Sequence, residues 1–335
     1  MEIKLEILTH VLTKMFGKKI IHADYETKPL HHTGKVCLVT GIAKTDSGEE
    51  LSYNVVFKIH EKMEHHGDFD LSWRREYDLY AADFNKIFPD SLIMPDCYHA
   101  EINADETETQ MWTEYIEGIS GDGITIEMLD LAVAELGRFQ GRIYKEQPQS
   151  LKNISCIKKI KREETKEYRY IRSDDCAIPK DLRQIIINND VEMGKIFKNS
   201  DIPVVLCKGD VWAYNMIYSD GKIIHIDWEC ANWGYICEDI LGLIGNEIVP
   251  YSFEAFRINT EKLEKYYRRF IGTYLKGFSE YADISQIALS LVWKIFITRF
   301  GYTIISWYLN VETEEKKQEH INELYKLYEL EEIKL

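Results

Sequence analysis

The sequence predicts an α+β fold of two lobes: a small N-terminal antiparallel sheet with one helix, then a larger and mainly helical C-terminal lobe. Three observations predict it. Strand-like runs follow one another through the first part of the chain, at 19–30, 35–44 and 51–60. Beyond Gly123 the apolar residues recur at helical spacing instead, over 125–145, 261–278, 284–309 and 314–330. A single short hairpin interrupts that helical half, between Tyr214 and Ile226. A length of 335 residues suits two lobes of roughly 150 residues each, and a hydrophobic content of 45% is enough for a real core.

The elements follow in order. Met1-Glu2-Ile3-Lys4 leads into an amphipathic helix over Leu5–Phe16 and not into the long apolar core of a signal peptide, so a cytoplasmic protein is expected. The first two strands are separated by the polar His31-His32-Thr33-Gly34, and Asp46-Ser47-Gly48 turns the chain into the third. A helix over roughly 72–88 carries Trp73, Tyr77, Tyr80, Ala81, Phe84 and Phe88 at helical spacing. Met111–Tyr115 is a short apolar strand, and the glycines of Glu117–Gly123 break the pattern after it. The lobes are therefore expected at 1–118 and 119–335. Thr125 is placed to N-cap the helix that runs to about Lys145, and Thr313 to cap the last one. Residues 152–200 are charged and mostly helical in pattern. The most apolar stretch, 289–309, is interrupted by Lys294 and Arg299, which predicts a buried helix including Ile295, Phe296 and Trp307. A membrane span needs ~20 apolar residues with few charges.

The chemistry centres on the hairpin. Asp210 is followed five positions later by Asn215, and Asp227 stands in Ile226-Asp227-Trp228-Glu229. Ser219-Asp220-Gly221 closes the two strands, and Asp-Gly is a strong turn signal. Pairing Ser219 with Lys222 brings Asn215 opposite Ile226, one residue from Asp227. One metal ion can then touch both, provided the strand ends or bends there. Singly, an Asp or Asn beside a turn is usually structural. Together they supply what phosphoryl transfer from ATP needs. Asp210 takes the acceptor's proton, while Asn215 and Asp227 hold Mg²⁺. Upstream, Lys58 ends the run Asn54-Val55-Val56-Phe57, as does the strand lysine that reaches the α- and β-phosphates, and Glu76 is set on the next helix to hold it.

These residues resemble the aminoglycoside phosphotransferase and choline kinase family, small-molecule kinases with a protein-kinase-like fold. That family's pattern is His-Gly-Asp-x-x-x-x-Asn, then Ile-Asp-Trp/Phe-Glu, then Gly and Asp-Leu. Here Gly209-Asp210, Asn215, Ile226-Asp227-Trp228-Glu229, Gly234 and Asp239-Ile240 stand in register. Met111-Trp112-Thr113-Glu114-Tyr115-Ile116-Glu117-Gly118 is similar to the hinge strand, and Leu136–Gly141 to a helix that follows it. The resemblance covers about residues 20–310. It implies that the carbonyl of Thr113 and the N–H of Tyr115 face an adenine. Two departures stand out. Lys208 occupies the family's histidine position, where it would reach a carboxylate or a phosphate. The loop His31–Lys35 has one glycine and not a glycine-rich string. The expected function is an ATP- and Mg²⁺-dependent phosphotransferase acting on a small-molecule hydroxyl. The alternative is a nucleotide-binding pseudokinase with a regulatory or partner-binding role.

A net charge of −15 argues against nucleic acid as a partner, since binding it relies on Lys and Arg neutralising phosphates. The same charge suits a cationic acceptor such as an aminoglycoside or amino alcohol. Seven cysteines include no Cys-x-x-Cys pair and are odd in number, which points to reduced thiols. His60, His65 and His66 match no zinc spacing and are expected as solvated histidines after a strand.

Overall fold

The computed structural model describes residues 3–30, 35–62, 72–88, 92–159, 163, 165–199, 202–249, 257–284 and 286–333. The fold is the two-lobed, protein-kinase-like one. The chain opens with α1 (Leu5–Phe16), then β1 (Ile20–Ala23), β2 (Glu26–Pro29), β3 (Val36–Thr45), β4 (Glu50–Glu61), α2 (Ser72–Ala81), β5 (Leu92–Ile93), β6 (Cys97–Ile102) and β7 (Glu108–Glu114). The first sheet runs β1-β3-β4-β7-β6, with β2 also on β3, and every pairing is antiparallel. The run 19–30 makes two strands instead of the expected one, both on β3. Between them Asp24 Oδ1 accepts the Ile42 N–H at 2.7 Å. The sheet's inner face alternates as pleating requires: Val39, Val55, Phe57 and Trp112 are buried against Leu8, Val11 and Leu12 of α1, with Phe57 stacked on Trp112 at 4.4 Å.

The helix expected over 72–88 stops at Ala81. Asp83 takes a left-handed backbone (φ 54°), and Phe84–Ile87 continues as one 3₁₀ turn. This break turns the chain into the second lobe. Phe84 and Phe88 pack on Trp228, Phe88 stacks on Phe139 at 4.5 Å, and β5 pairs in parallel with a strand of the hairpin. Phe84, Ile87, Phe88, Leu92 and Met94 thus belong to the larger core.

That core is built on α3 (Ile126–Glu146), capped by Thr125 Oγ1 as anticipated. After α4 (Gln149–Lys152), α5 (Lys166–Arg172) and α6 (Lys180–Asn199) come β8 (Val204–Cys207), β9 (Met216–Ser219), β10 (Lys222–His225) and β11 (Asn232–Tyr235). The chain ends in α7 (Glu238–Ile248), α8 (Thr260–Phe278), α9 (Gln286–Asn310) and α10 (Glu314–Glu329). α3 and α8 cross where a Cβ on Gly137 would lie 2.3 Å from the Tyr274 carbonyl oxygen, so only glycine permits the contact. In α9 Ile295 and Phe296 are buried and Trp307 is half-buried, while Lys294 pairs with Glu192 and Arg299 with Glu238. No helix among the described residues is long and apolar enough to cross a membrane. All seven cysteines are free thiols.

Candidate active site

The β9–β10 hairpin has the register its turn dictates. Asp220 and Gly221 both take positive φ (48° and 77°), as a two-residue type I′ turn requires, and Lys222 pairs with Ser219. The pairing runs to His225 and Met216, and the Ile226 N–H donates to the Asn215 carbonyl at 3.2 Å. Asp227 then leaves the strand with φ 64°. A non-glycine residue in this region is uncommon and costs on the order of 1–2 kcal/mol. This is the bend that lets Asn215 and Asp227 serve one end of the hairpin. The hairpin is clipped to the chain leaving β7: Ile119 and Tyr218 exchange backbone bonds of 2.9 and 2.8 Å, and Ser219 Oγ donates to the Glu117 carbonyl at 2.7 Å.

Asp210 and Asn215 meet directly. Asn215 Nδ2 donates to Asp210 Oδ2 at 2.7 Å and to the Asp210 carbonyl at 3.3 Å. Burial raises the Asp210 carboxyl above its ordinary value, against the pull of Lys208. The loop holding Asp210 is anchored from below by Asp239, in the first turn of α7. Its two carboxylate oxygens accept the backbone N–H groups of Lys208 and Gly209, each at 2.8 Å. Gln140 donates to Asp239 Oδ2 and to the Leu206 carbonyl, and Tyr274 donates to Gln140. Gly209 has φ 86°, and a Cβ there would lie 2.2 Å from the Cys230 carbonyl oxygen.

Lys208 departs from expectation. Its side chain is fully buried, and Nζ donates to two main-chain carbonyls, Asp210 at 2.7 Å and Asp227 at 2.8 Å, and not to a carboxylate. Burial lowers its pKa, opposed by the charges of Asp227, Asp210 and Asp239. A main-chain oxygen is the closer partner because the Asp210 side chain is taken by Asn215 and that of Asp227 by Lys58. Beside Lys208, His225 is fully buried, and among the described residues neither ring nitrogen has a hydrogen-bond partner. Burial, then the Lys208 charge, depresses its pKa to about 3.

Lys58 connects the lobes. Its Nζ lies 2.6 Å from Glu76 Oε2 and 2.7 Å from Asp227 Oδ1. Burial disfavours the ammonium, but the two carboxylates outweigh it and hold its pKa above the ordinary value. The same pairing outweighs burial at Glu76 and Asp227 and keeps both carboxyls below theirs. His60, expected in solvent, is instead buried: Nε2 is 3.3 Å from Glu76 Oε2 and Nδ1 is 3.2 Å from Glu229 Oε2. It is two residues past Lys58, so pleating sends both side chains to one face. That spacing was the signal available in the sequence. His65, His66 and the glycine-bearing loop 31–34 lie outside the described residues. Thr113 is buried within β7, between Val56 of β4 and Cys97 of β6, and Tyr115 lies just past the strand, half-buried. Beyond Asp210, Tyr214 is 49% exposed, its ring lies 4.7 Å from that of Trp212 at a tilt of 36°, and its hydroxyl donates to Asp122 at 2.7 Å.

No family model and no curated protein matches the sequence. Solved structures do match in fold. An amicoumacin kinase, described in complex with AMP-PNP, Ca²⁺ and Ami, superposes with a TM-score of 0.56 at 16% identity, over 92% of this chain and 89% of its own. A microcompartment-associated aminopropanol kinase gives 0.55 at 13%, over 96% and 95%. A choline kinase from Cryptosporidium parvum Iowa II gives 0.56 at 16%, over 90% and 88%. At these identities the likeness establishes the fold that the motifs implied.

Proposed function

We propose that this chain is a small-molecule kinase that uses ATP and Mg²⁺ to phosphorylate a hydroxyl group. The observation that carries the reading is the convergence of five side chains from four separate parts of the chain. Lys58 of β4, Glu76 of α2 and Asp227 after β10 form one connected ion-pair chain, while Asp210 and Asn215 form a hydrogen-bonded pair on the neighbouring loop. A hydrogen-bonded Asp–Asn pair and a lysine held between two carboxylates have a simple use together in phosphoryl transfer.

Each residue has a definite task in this reaction. Asp210 orients the acceptor hydroxyl and takes its proton as the acceptor oxygen bonds to the γ-phosphorus and the bond to ADP breaks. Lys58 holds the α- and β-phosphates, and Glu76 fixes Lys58. Asn215 commits its amide hydrogens to Asp210 and retains Oδ1, and Asp227 retains Oδ2 beside the oxygen that faces Lys58. Hard oxygen donors of this kind suit Mg²⁺, so these two residues are the proposed ligands. When bound, Mg²⁺ neutralises the charge of the phosphates. The backbone of Thr113 and Tyr115 is the proposed adenine contact. Lys208 supports the active reading over a pseudokinase. Its bonds to the Asp210 and Asp227 carbonyls keep the two acid segments together, which is a use that persists without the histidine.

The acceptor is proposed as a hydroxyl-bearing amine. The structural neighbours named above act on amicoumacin, aminopropanol and choline, and the chain's own charge of −15 suits a cation. Tyr214, Trp212 and Asp122 offer an aromatic and acidic wall beside Asp210. The test is ADP formation from Mg·ATP with a panel of amino-sugars, choline, ethanolamine, aminopropanol, homoserine and methylthioribose. Acceptor-dependent turnover supports the reading. A protein that binds Mg·ATP yet turns over no member of the panel would favour the pseudokinase.

A further inference from the structure

Lys58 and His60 alternate on β4 and share one face, while Asp227 and Glu229 are two apart on the segment that leaves β10. Glu76 lies between the two pairs. The contacts run Asp227–Lys58 at 2.7 Å, Lys58–Glu76 at 2.6 Å, Glu76–His60 at 3.3 Å and His60–Glu229 at 3.2 Å. Sheet and metal segment are therefore joined twice, and both joints lie beside the same glutamate of α2, which Lys58 bonds and His60 Nε2 faces at 3.3 Å without a hydrogen bond of good geometry. A third contact repeats the direction: the buried Arg75, next to Glu76, donates to the Glu229 carbonyl at 3.4 Å.

The two joints differ in what the reaction asks of them. Under the function proposed above, Lys58 turns to phosphate and Asp227 to metal, so their mutual contact opens when nucleotide arrives. His60 and Glu229 have no such second partner. We propose that His60 is a positioning residue, a second clasp that grips Glu229 and keeps β4, α2 and the 227–229 segment in register while the Lys58–Asp227 contact opens to admit Mg·ATP. The proposal takes the roles of Lys58 and Asp227 from the kinase reading, but the clasp itself is a property of the nucleotide-free protein.

The experiment compares His60→Leu, Glu229→Gln and the double variant with the wild type. Glu229→Gln guards against misfolding, because that side chain is 41% exposed and the amide keeps its volume while removing the charge that faces His60. Amide hydrogen exchange in the nucleotide-free proteins should be faster at 226–230 and 72–81 in each single variant, and no faster in the double. Binding of Mg·AMP-PNP should weaken roughly threefold to tenfold in each single variant, again with no further loss in the double, since contacting residues are not additive. KM for ATP should rise while kcat at saturating ATP stays within about twofold, because the clasp touches no reacting atom. Unchanged exchange at 226–230 in Glu229→Gln, or additive effects in the double variant, would overturn the clasp. A wild type that binds no Mg·AMP-PNP would defeat the kinase reading instead, and the exchange data would still decide on the clasp.

Discussion

The ammonium of Lys208 lies 2.8 Å from the main-chain oxygen of Asp227, and from the same buried position it reaches the carbonyl of Asp210 at 2.7 Å. One cation thus staples the loop of the proposed base to the segment of the proposed metal ligand through backbone alone. Neither acid side chain is spent on Lys208, so Asp210 keeps its bond from Asn215 and Asp227 its bond from Lys58. Lys208→Met removes the staple, strands the Asp227 carbonyl and leaves that of Asp210 only its 3.3 Å bond from Asn215, so it should lower stability by about 1–3 kcal/mol and turnover at least tenfold. Lys208→His should keep substantial activity, since an imidazole N–H can serve one carbonyl. Lys208→Glu puts an anion against two carbonyls and three aspartates, and should lose activity and fold poorly. Thermal melts beside turnover of the three variants check this. Wild-type behaviour of Lys208→Glu would show that the staple carries nothing.

Gly209→Ala tests the loop that bears Asp210. The residue combines φ 86° with a Cβ position 2.2 Å from the Cys230 carbonyl oxygen, so the 209 and 230 backbones must separate. The left-handed conformation alone costs on the order of 1–2 kcal/mol for a residue with a Cβ. A loss of at least ~2 kcal/mol is expected, with turnover falling further than stability. Denaturant unfolding with a parallel activity assay measures both.

His225 makes the opposite prediction. Its ring is fully buried with both nitrogens unpartnered among the described residues, so it carries the desolvation of a polar group without a compensating bond. His225→Leu keeps the approximate volume and removes that penalty, and should be neutral or stabilising by ~1–3 kcal/mol. A loss of more than about 1 kcal/mol in unfolding experiments would mean that the imidazole has a partner after all.

Asp210→Asn separates base from binder. The amide can still bond Asn215 but cannot accept the hydroxyl proton, so kcat should fall by roughly two to four orders of magnitude. Affinity for Mg·ATP, measured by calorimetry, should change little. If binding falls as far as turnover, Asp210 serves the metal or the fold.

Much of this was legible in the sequence, because it depends on local rules. The Asp-Gly turn sets the hairpin register, and that register delivers Asn215 opposite Ile226. α1, the Thr125 and Thr313 caps and the alternation of β4 are equally local. What escaped depends on contacts far apart in the chain. His60 reads as a solvated residue after a strand until α2 and Glu229 fold over it. Lys208 reads as a charge seeking a carboxylate, because nothing local says that Asn215 and Lys58 already occupy the nearby acids. Asp239 and Gln140 were visible only as motif positions, and their grip on the Lys208 and Gly209 amides needs the three-dimensional meeting of α3, α7 and β8. The early end of α2 turns on Asp83, whose positive φ no propensity scale requires.

The central claim is that Lys58, Asp210, Asn215 and Asp227 form a Mg·ATP phosphoryl-transfer site. It is tested most directly by following ADP formation with the acceptor panel, with Mg²⁺ and with excess EDTA, in the wild type and in Asp227→Ala. The Asp227 side chain is 35% exposed and Lys58 keeps Glu76, so this variant should remain folded by circular dichroism. The account predicts acceptor-dependent turnover in the wild type that EDTA abolishes, and none in folded Asp227→Ala. Undiminished Mg²⁺-dependent turnover in that folded variant would contradict it.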